Sequence, residues 1–523
     1  MRYILILLAL LGWTDTADAR WREASSRHFV IYSEADEAEL RQAAEQFERY
    51  DSMLRFVTGV ADPDRGPASR VTIFFVRDVQ ELRRIYGARQ SGIWGFYLPY
   101  ARGIIITPRI GYRSQRGSSV MRTSTPAAIE DSFNARGVML HEYTHHFMFN
   151  NFNFGAPLWL SEGYPEFMST ARFEDDGSVT IGTPPWYRNN EISEARDINA
   201  QEVLLHPADN YKIQGIYGIG WLMSDYLTFD QHRTGQLAAY LHALDTGAQP
   251  EQAAAVFGDL DQLSSELRRY RTGSGFPLSR IPAAHISVGQ ISIRELSDAE
   301  NAIMEVRIRS KRGVSRTTAP DVARDARAAA APYPNNAFVQ VSLAEAEYDA
   351  KNYVEAEAAA DRAIAADPRL IDGYLYKARS MWARAEAAHD TTPRTWTAIR
   401  EILAQANRID PDDPQPLAFF YESYQPSGIA PTANAIDGLF VAQQMAPQES
   451  GLRILATREL LARNRVADAR RLFAPIASSA HGSENREKVA QVMTLMQAGD
   501  GPGALAKLDE LREEARRRDG EGS

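Results

Sequence analysis

The chain has 523 residues, of which 44% are hydrophobic and 24% charged, with a formal net charge of -10. It is too long for one core and ordinary in globular composition, so two or three domains are expected. The acidic balance argues against nucleic acid as a partner, because that ligand demands a basic face. The lack of cysteine excludes disulfides, thiolate-bound zinc and a lipidated N-terminal cysteine, which leaves histidine and carboxylate as the strong metal ligands.

Residues 1–19 carry the marks of a signal peptide. Arg2 is the positive start, Tyr3 to Trp13 an apolar run of eleven residues, and Ala17-Asp18-Ala19 a small-residue cleavage site. That run is too short to span a bilayer, and the polar Thr14-Asp15-Thr16 follows at once. Cleavage after Ala19 and export to a bacterial periplasm or beyond are expected, with no stable membrane insertion afterwards. The alternative is an uncleaved anchor.

Residues 20–120 read as a sheet-bearing segment. His28 to Ser33 is a strand and Glu37 to Phe56 an amphipathic helix with Leu40, Ala44, Phe47, Tyr50 and Leu54 on one side. Val71 to Val76 is a strand of continuous apolar content and so a central one. Asp78 to Tyr86 is a short helix, and Ile93 to Tyr97 with Gly103 to Thr107 form a hairpin. Arg109 to Asn134 is polar and without a period. It predicts either a loop leading onto the next helix or a disordered insertion.

The segment Val138 to Phe167 carries the chemistry. His141-Glu142-Tyr143-Thr144-His145 matches H-E-x-x-H, which on a helix stacks two imidazoles on one face about 6 Å apart. Such a pair can grip one zinc ion, with Glu142 beside it as the base for an attacking water. The pattern alone is weak and also falls on solvated helix faces. Here Val138-Met139-Leu140 and Phe147-Met148 make the helix apolar, and Leu158-Trp159-Leu160-Ser161-Glu162-Gly163 follows on a second helix entered through Pro157. His146, at i+5, points away from His141 and is expected to be a polar surface residue or a support to the ligands. Phe152 and Phe154 are read as packing residues.

With both halves present, the segment resembles the gluzincin metallopeptidases, which carry H-E-x-x-H on one helix and the third ligand on the next, often in W-L-x-E-G. The resemblance implies a zinc metallopeptidase with one Zn2+ held by His141, His145 and Glu162, Glu142 as general base, and Glu166 orienting a ligating imidazole. It also implies that Ile104 to Thr107 is an edge strand that pairs with extended substrate, the alternative being an ordinary strand with its edge covered. Further on, Tyr217, Gly220, Tyr226 and Leu227 fit a Y-x-x-G pattern followed by Y-L that is similar to zinc aminopeptidases. That makes Tyr217 the hydroxyl donor to the oxyanion, with Tyr211 as second choice and a tyrosine packing under the cleft as the alternative. The G-x-M-E-N segment that reads a free amino terminus in those enzymes is missing: Gly103 to Thr107 offers no carboxylate. An endopeptidase is therefore expected.

Helices follow at Trp221 to Phe229, Thr234 to Leu244, Pro250 to Phe257 and Leu260 to Tyr270, closing a metallopeptidase-like domain over residues 20–273. Residues 274–320 read as a connector with some β structure. Over 321–518 the composition turns alanine-rich, and Ala363/Pro368, Ala406/Pro411 and Ala442/Pro447 each form A-x-x-x-x-P, with prolines 43 and 36 residues apart. This resembles tetratricopeptide repeats and implies four to five helix pairs in a solenoid. The solenoid serves either as a docking face for a protein partner or as a purely structural extension. The expected fold class is thus α+β, a small mixed sheet over a helical half, followed by an all-α repeat region. The expected function is an exported zinc peptidase acting on a peptide or protein substrate. The alternative is a weakly active or inactive envelope scaffold that binds through its repeats.

Overall fold

The alternation in Val71 to Val76 shows how the sheet is built. Val71, Ile73 and Phe75 join one core and Phe74 and Val76 another, so the strand is apolar on both faces because both are covered. The structure, a computed structural model, describes residues 20–87, 93–109, 126–273, 275–478 and 486–522. The expected signal peptide lies outside the described residues.

Strands β1 (Arg22–Ser25), β2 (Phe29–Ser33), β3 (Val71–Val76), β4 (Phe96–Leu98) and β5 (Ile104–Pro108) frame the N-terminal part, with helices α1 (Glu37–Thr58) and α2 (Val79–Tyr86) between them. β2, β3 and β5 run parallel, while β4 pairs antiparallel with β5 and β1 with β2. β4 is therefore an outer strand and β5 an inner one. The expectation that Ile104 to Thr107 is an edge strand is corrected: β5 lies between β3 and β4, and β4 is the outer strand at that end of the sheet. Helix α3 (Pro126–Asn151) also starts earlier than expected, since Pro126 to Asn134, read as loop, is already helical. Residues 110–125 of that predicted loop lie outside the described residues.

A helical half follows: α4 (Leu158–Ser169), then a small sheet begun by β6 (Arg172–Phe173) and β7 (Val179–Ile181), then α5 (Asn189–Glu194), α6 (Ala200–Leu205), α7 (Ile216–Phe229), α8 (Gln236–Asp245), α9 (Pro250–Ala253) and α10 (Leu260–Arg271). One hydrophobic core joins the inner sheet face, α1 and these helices, from Phe29 and Phe47 to Trp159, Trp221 and Leu267.

The segment read as a connector is divided between its neighbours. β8 (Ser279–Ile281) completes the small sheet against β7, and β9 (Ser292–Glu295) returns to pair with β1 at the far edge of the large sheet. Helix α11 (Asp298–Arg312) begins the all-α region but sends Met304 and Ile308 against the outer sheet face with Leu82 and Ile85 of α2. Then come α12 (Ala319–Ala330), α13 (Ala337–Asp349), α14 (Tyr353–Ala366), α15 (Ile371–Ala387), α16 (Pro393–Ile409), α17 (Pro414–Glu422), α18 (Ala433–Met445), α19 (Ser450–Ala462), α20 (Val466–Ala477), α21 (Arg486–Gln497) and α22 (Gly501–Gly522), each packed on the next. The three recurring alanines do the same work at each site. Ala363, Ala406 and Ala442 are fully buried, and each carbonyl accepts the capping N–H four residues on, from Asp367, Asp410 and Ala446. A β-carbon at such a point lets helices approach closely, and the proline that follows prevents the helix from continuing.

The all-α region is seated on the N-terminal unit through the β4–β5 turn. Arg102 donates to Asp413 at 3.0 and 2.6 Å and to Asp372 at 3.2 Å. Beside it Ala101 enters the core of Tyr421, Leu439 and Leu452, while Gln448 donates to the carbonyls of Tyr100 and Ala101.

A charge cluster fixes α1 to the first strands and to α3. His28 contacts Glu48 at 2.8 Å and Asp62 at 3.0 Å, while Asp51 accepts from Arg55 and from the Tyr143 hydroxyl, each at 2.6 Å. Burial opposes the charged imidazole of His28, but the carboxylates of Glu48, Asp51 and Asp62 outweigh it and raise the group to about 9. Because the folded value is raised, this stabilisation is complete below about 6.5, the unfolded value, and is lost as pH climbs through 9. The wild-type unfolding free energy should therefore drop by on the order of 3 kcal/mol more than that of His28→Gln between those limits, measured by denaturant titration. Parallel pH profiles would contradict it.

Candidate metal centre

The two residues between the histidines of α3 explain how the pair is aimed. Thr144 is hydrogen-bonded to Tyr50 of α1 at 2.7 Å, and Tyr143 is held by Asp51 and packs its ring 4.9 Å from that of Phe29. With those side chains locked into the core, His141 and His145 are turned toward α4. There the Nε2 atoms of the two imidazoles lie 3.0 Å apart, and Glu162 Oε2 lies 3.3 Å from His141 Nε2 and 3.6 Å from His145 Nε2. Glu162 is fully buried and His145 nearly so.

These separations fit a divalent cation. Donor atoms 2.0–2.1 Å from a tetrahedral zinc are about 3.3 Å apart, the mean of what is found here. Two buried imidazole nitrogens facing one another across a carboxylate need a proton or a cation between them. Burial lowers His141, yet the Glu162 hydrogen bond and the charges of Glu166, Glu162 and Glu142 outweigh it and raise the group. Against its own burial, Glu162 is held well below the usual carboxylate range by His145 and His141.

Glycine sets the crossing of α4 and α7. A β-carbon on Gly163 would collide with the backbone of Gly220, and one on Gly220 with the Trp159 carbonyl and Gly163. The helices therefore touch backbone to backbone one residue beyond Glu162. This brings Tyr217, three residues before Gly220 in the first turn of α7, beside Glu162. Burial first, and then the charge and hydrogen bond of Glu162, raise the Tyr217 phenol far above its ordinary value, so it remains a protonated donor.

The sequence search of protein-family models and of curated proteins finds no match to this chain. The site must be read from its own geometry.

Glu142, half-buried on α3, lines a cavity of about 480 Å³ together with His145, Tyr97 and Phe149. Glu166 is buried one turn beyond Glu162. Arg188 grips its Oε1 at 3.0 and 2.8 Å and the Tyr187 hydroxyl its Oε2 at 2.8 Å, while His141 Nδ1 stands 3.9 Å from Oε1. That last separation is electrostatic contact rather than a hydrogen bond. Tyr211, the second choice for the oxyanion donor, is 55% exposed and lines a different cavity, which removes it from the site. His146 is corrected too: it is buried rather than at the surface, hydrogen-bonded to Tyr97 at 2.7 Å and stacked on Tyr143. Burial, then the charges of Arg65, Arg55 and His28, lower it to about 3, so it is a neutral anchor between α3 and β4. Phe152 and Phe154 pack against the core as expected.

Sequence reasoning missed Arg188. Its guanidinium lies 4.7 Å over the Tyr217 ring while it pairs with Glu166 and with Glu191, whose other oxygen accepts the Gly218 N–H at 2.9 Å. One side chain thus ties α4 to the start of α7. No spacing pattern announces it, since it follows Pro184-Pro185-Trp186 in a segment with the marks of an ordinary loop.

Proposed function

We propose that the chain is an exported zinc-dependent peptidase of gluzincin type, cutting peptide bonds within a protein substrate, with a tetratricopeptide-like region suited to protein interaction. The observation that carries this reading is the buried triangle of His141, His145 and Glu162 beside a carboxylate, Glu142, that opens onto a cavity. His141, His145 and Glu162 would hold a zinc ion, and the chemistry it would supply when bound is that of a Lewis acid toward water and a carbonyl oxygen. Glu142 takes the proton of the attacking water and hands it to the leaving nitrogen. Tyr217, kept protonated by burial and by Glu162, donates its O–H to the oxygen on which charge develops. Glu166, itself fixed by Arg188 and Tyr187, steadies His141 through its charge. The terminal strand β4, whose Phe96 and Tyr97 line the cavity, offers the substrate a backbone edge.

Among the described residues no helix is long and apolar enough to cross a membrane. The test is hydrolysis of an unfolded protein by the wild-type chain. Activity should vanish on chelation and return with one equivalent of zinc; activity that survives chelation would overturn the reading.

A further inference from the structure

The cavity that holds Glu142 is closed on its other side by the all-α region: Arg453 of α19, Pro475 and Ile476 of α20, and Val489 of α21. Arg453 is unusual among them. It is 2% exposed, and its partners among the described residues are all neutral. Its Nε donates to the Pro447 carbonyl, Nη1 to Asn153 Oδ1 at 3.1 Å and to the Leu472 carbonyl at 3.4 Å, and Nη2 to the Phe149 carbonyl at 3.1 Å. Those bonds use four of its five N–H groups. Burial lowers its pKa to about 10, which leaves it a cation at neutral pH. A buried guanidinium facing no carboxylate is costly unless something else supplies the negative charge.

The remaining charges of the cavity do not supply it. Arg486 also lines the space, and Glu142 is the one carboxylate among the described lining residues. A divalent cation held by His141, His145 and Glu162 would add a further positive charge, so that the described walls would sum to positive.

We propose that Arg453 is a specificity-determining residue of the metal cleft and receives a carboxylate of the substrate, either the α-carboxylate of a chain end or an aspartate or glutamate side chain near the cut bond. The inference rests on the peptidase reading and deepens it. It gives the all-α region a direct part in choosing substrate. The carboxylate has to lie within a few residues of the cut bond, because Glu142 and Arg453 line the same 480 Å³.

The test is equilibrium binding to the full zinc-loaded chain carrying Glu142→Gln, so that the probes survive. The probes are N-acetyl-hexaalanine with a free carboxylate, its C-terminal amide, and that amide with one internal glutamate. The free acid, the glutamate peptide, or both should bind at least about tenfold more tightly than the plain amide, and which of them does identifies the source of the carboxylate. Adding Arg453→Met should shrink the preference to within about twofold, and Arg453→Lys should retain part of it. An arginine that only ties α19 to the last turn of α3 would shift all three probes together. Because Arg453→Met removes a buried anchor, its zinc content is measured alongside; if it holds none, the lysine variant and the wild-type ratio of acid to amide decide. Equal binding of the three probes, binding of none, or a preference that survives in Arg453→Met would overturn the proposal. Hydrolysis by the chain with Glu142 intact is scored separately: selective binding without cleavage sinks the peptidase and keeps the carboxylate site, whereas cleavage without selectivity does the reverse.

Discussion

Glu142→Gln is expected to lower turnover of an unfolded protein by about 10³-fold while leaving one zinc per chain. Glutamine has nearly the same shape and lines the same cavity, so the three donors around it are undisturbed. What is lost is the capacity to accept a proton, and no other carboxylate among the described lining residues replaces it. A variant that binds zinc and retains most of its activity would remove Glu142 from the chemistry. A variant that loses zinc would show that Glu142 does more than line the cavity.

Gly163→Ala is expected to cost stability and the metal together. The added methyl would meet the main chain of Gly220, not the tip of a flexible side chain, so the strain has to be relieved by separating α4 from α7. Overpacking of that kind costs about 3 kcal/mol or more, at the upper end of what an inserted methyl group does in a core. Glu162 is the preceding residue and Tyr217 sits on the helix that would be pushed away. Zinc affinity should therefore fall as well, although no ligand is changed. Gly220→Ala should do the same, and the double variant should cost less than the two singles added, because both relieve one contact. Denaturant midpoints and zinc titrations of the three variants check this; a stable Gly163→Ala chain with unaltered zinc affinity would contradict the close crossing.

Part of the triangle of donors was legible from a local rule, since helical stacking places His141 above His145. Glu162 was legible only through the resemblance of Trp159-Leu160-Ser161-Glu162-Gly163 to the gluzincin pattern W-L-x-E-G. β3 was also legible from a local pattern: five of its six residues are apolar, which fits a short strand covered on both faces. The failures have a common cause in contacts between distant segments. β1 and β9 are four residues each and polar in part; β1 pairs locally with β2, while β9 becomes a strand by reaching β1 across the chain. His146 shows the limit of periodicity, which correctly turned it away from the ligands but could not tell that Tyr97 and Tyr143 waited on that side. Arg188, Arg102 and Arg453 act through partners up to hundreds of residues away, and a lone arginine in a sequence looks the same whether it faces water or spans two regions. For the same reason the all-α region could be recognised as helix pairs, while its place as the far wall of the metal cavity could not.

Metal analysis of the purified full-length chain decides the central claim most directly. The account predicts one zinc per wild-type chain and none in His145→Ala or in Glu162→Ala, with the fold retained in each. A wild-type chain that takes up no divalent cation, or single variants that keep it undiminished, would contradict a shared centre at these three side chains.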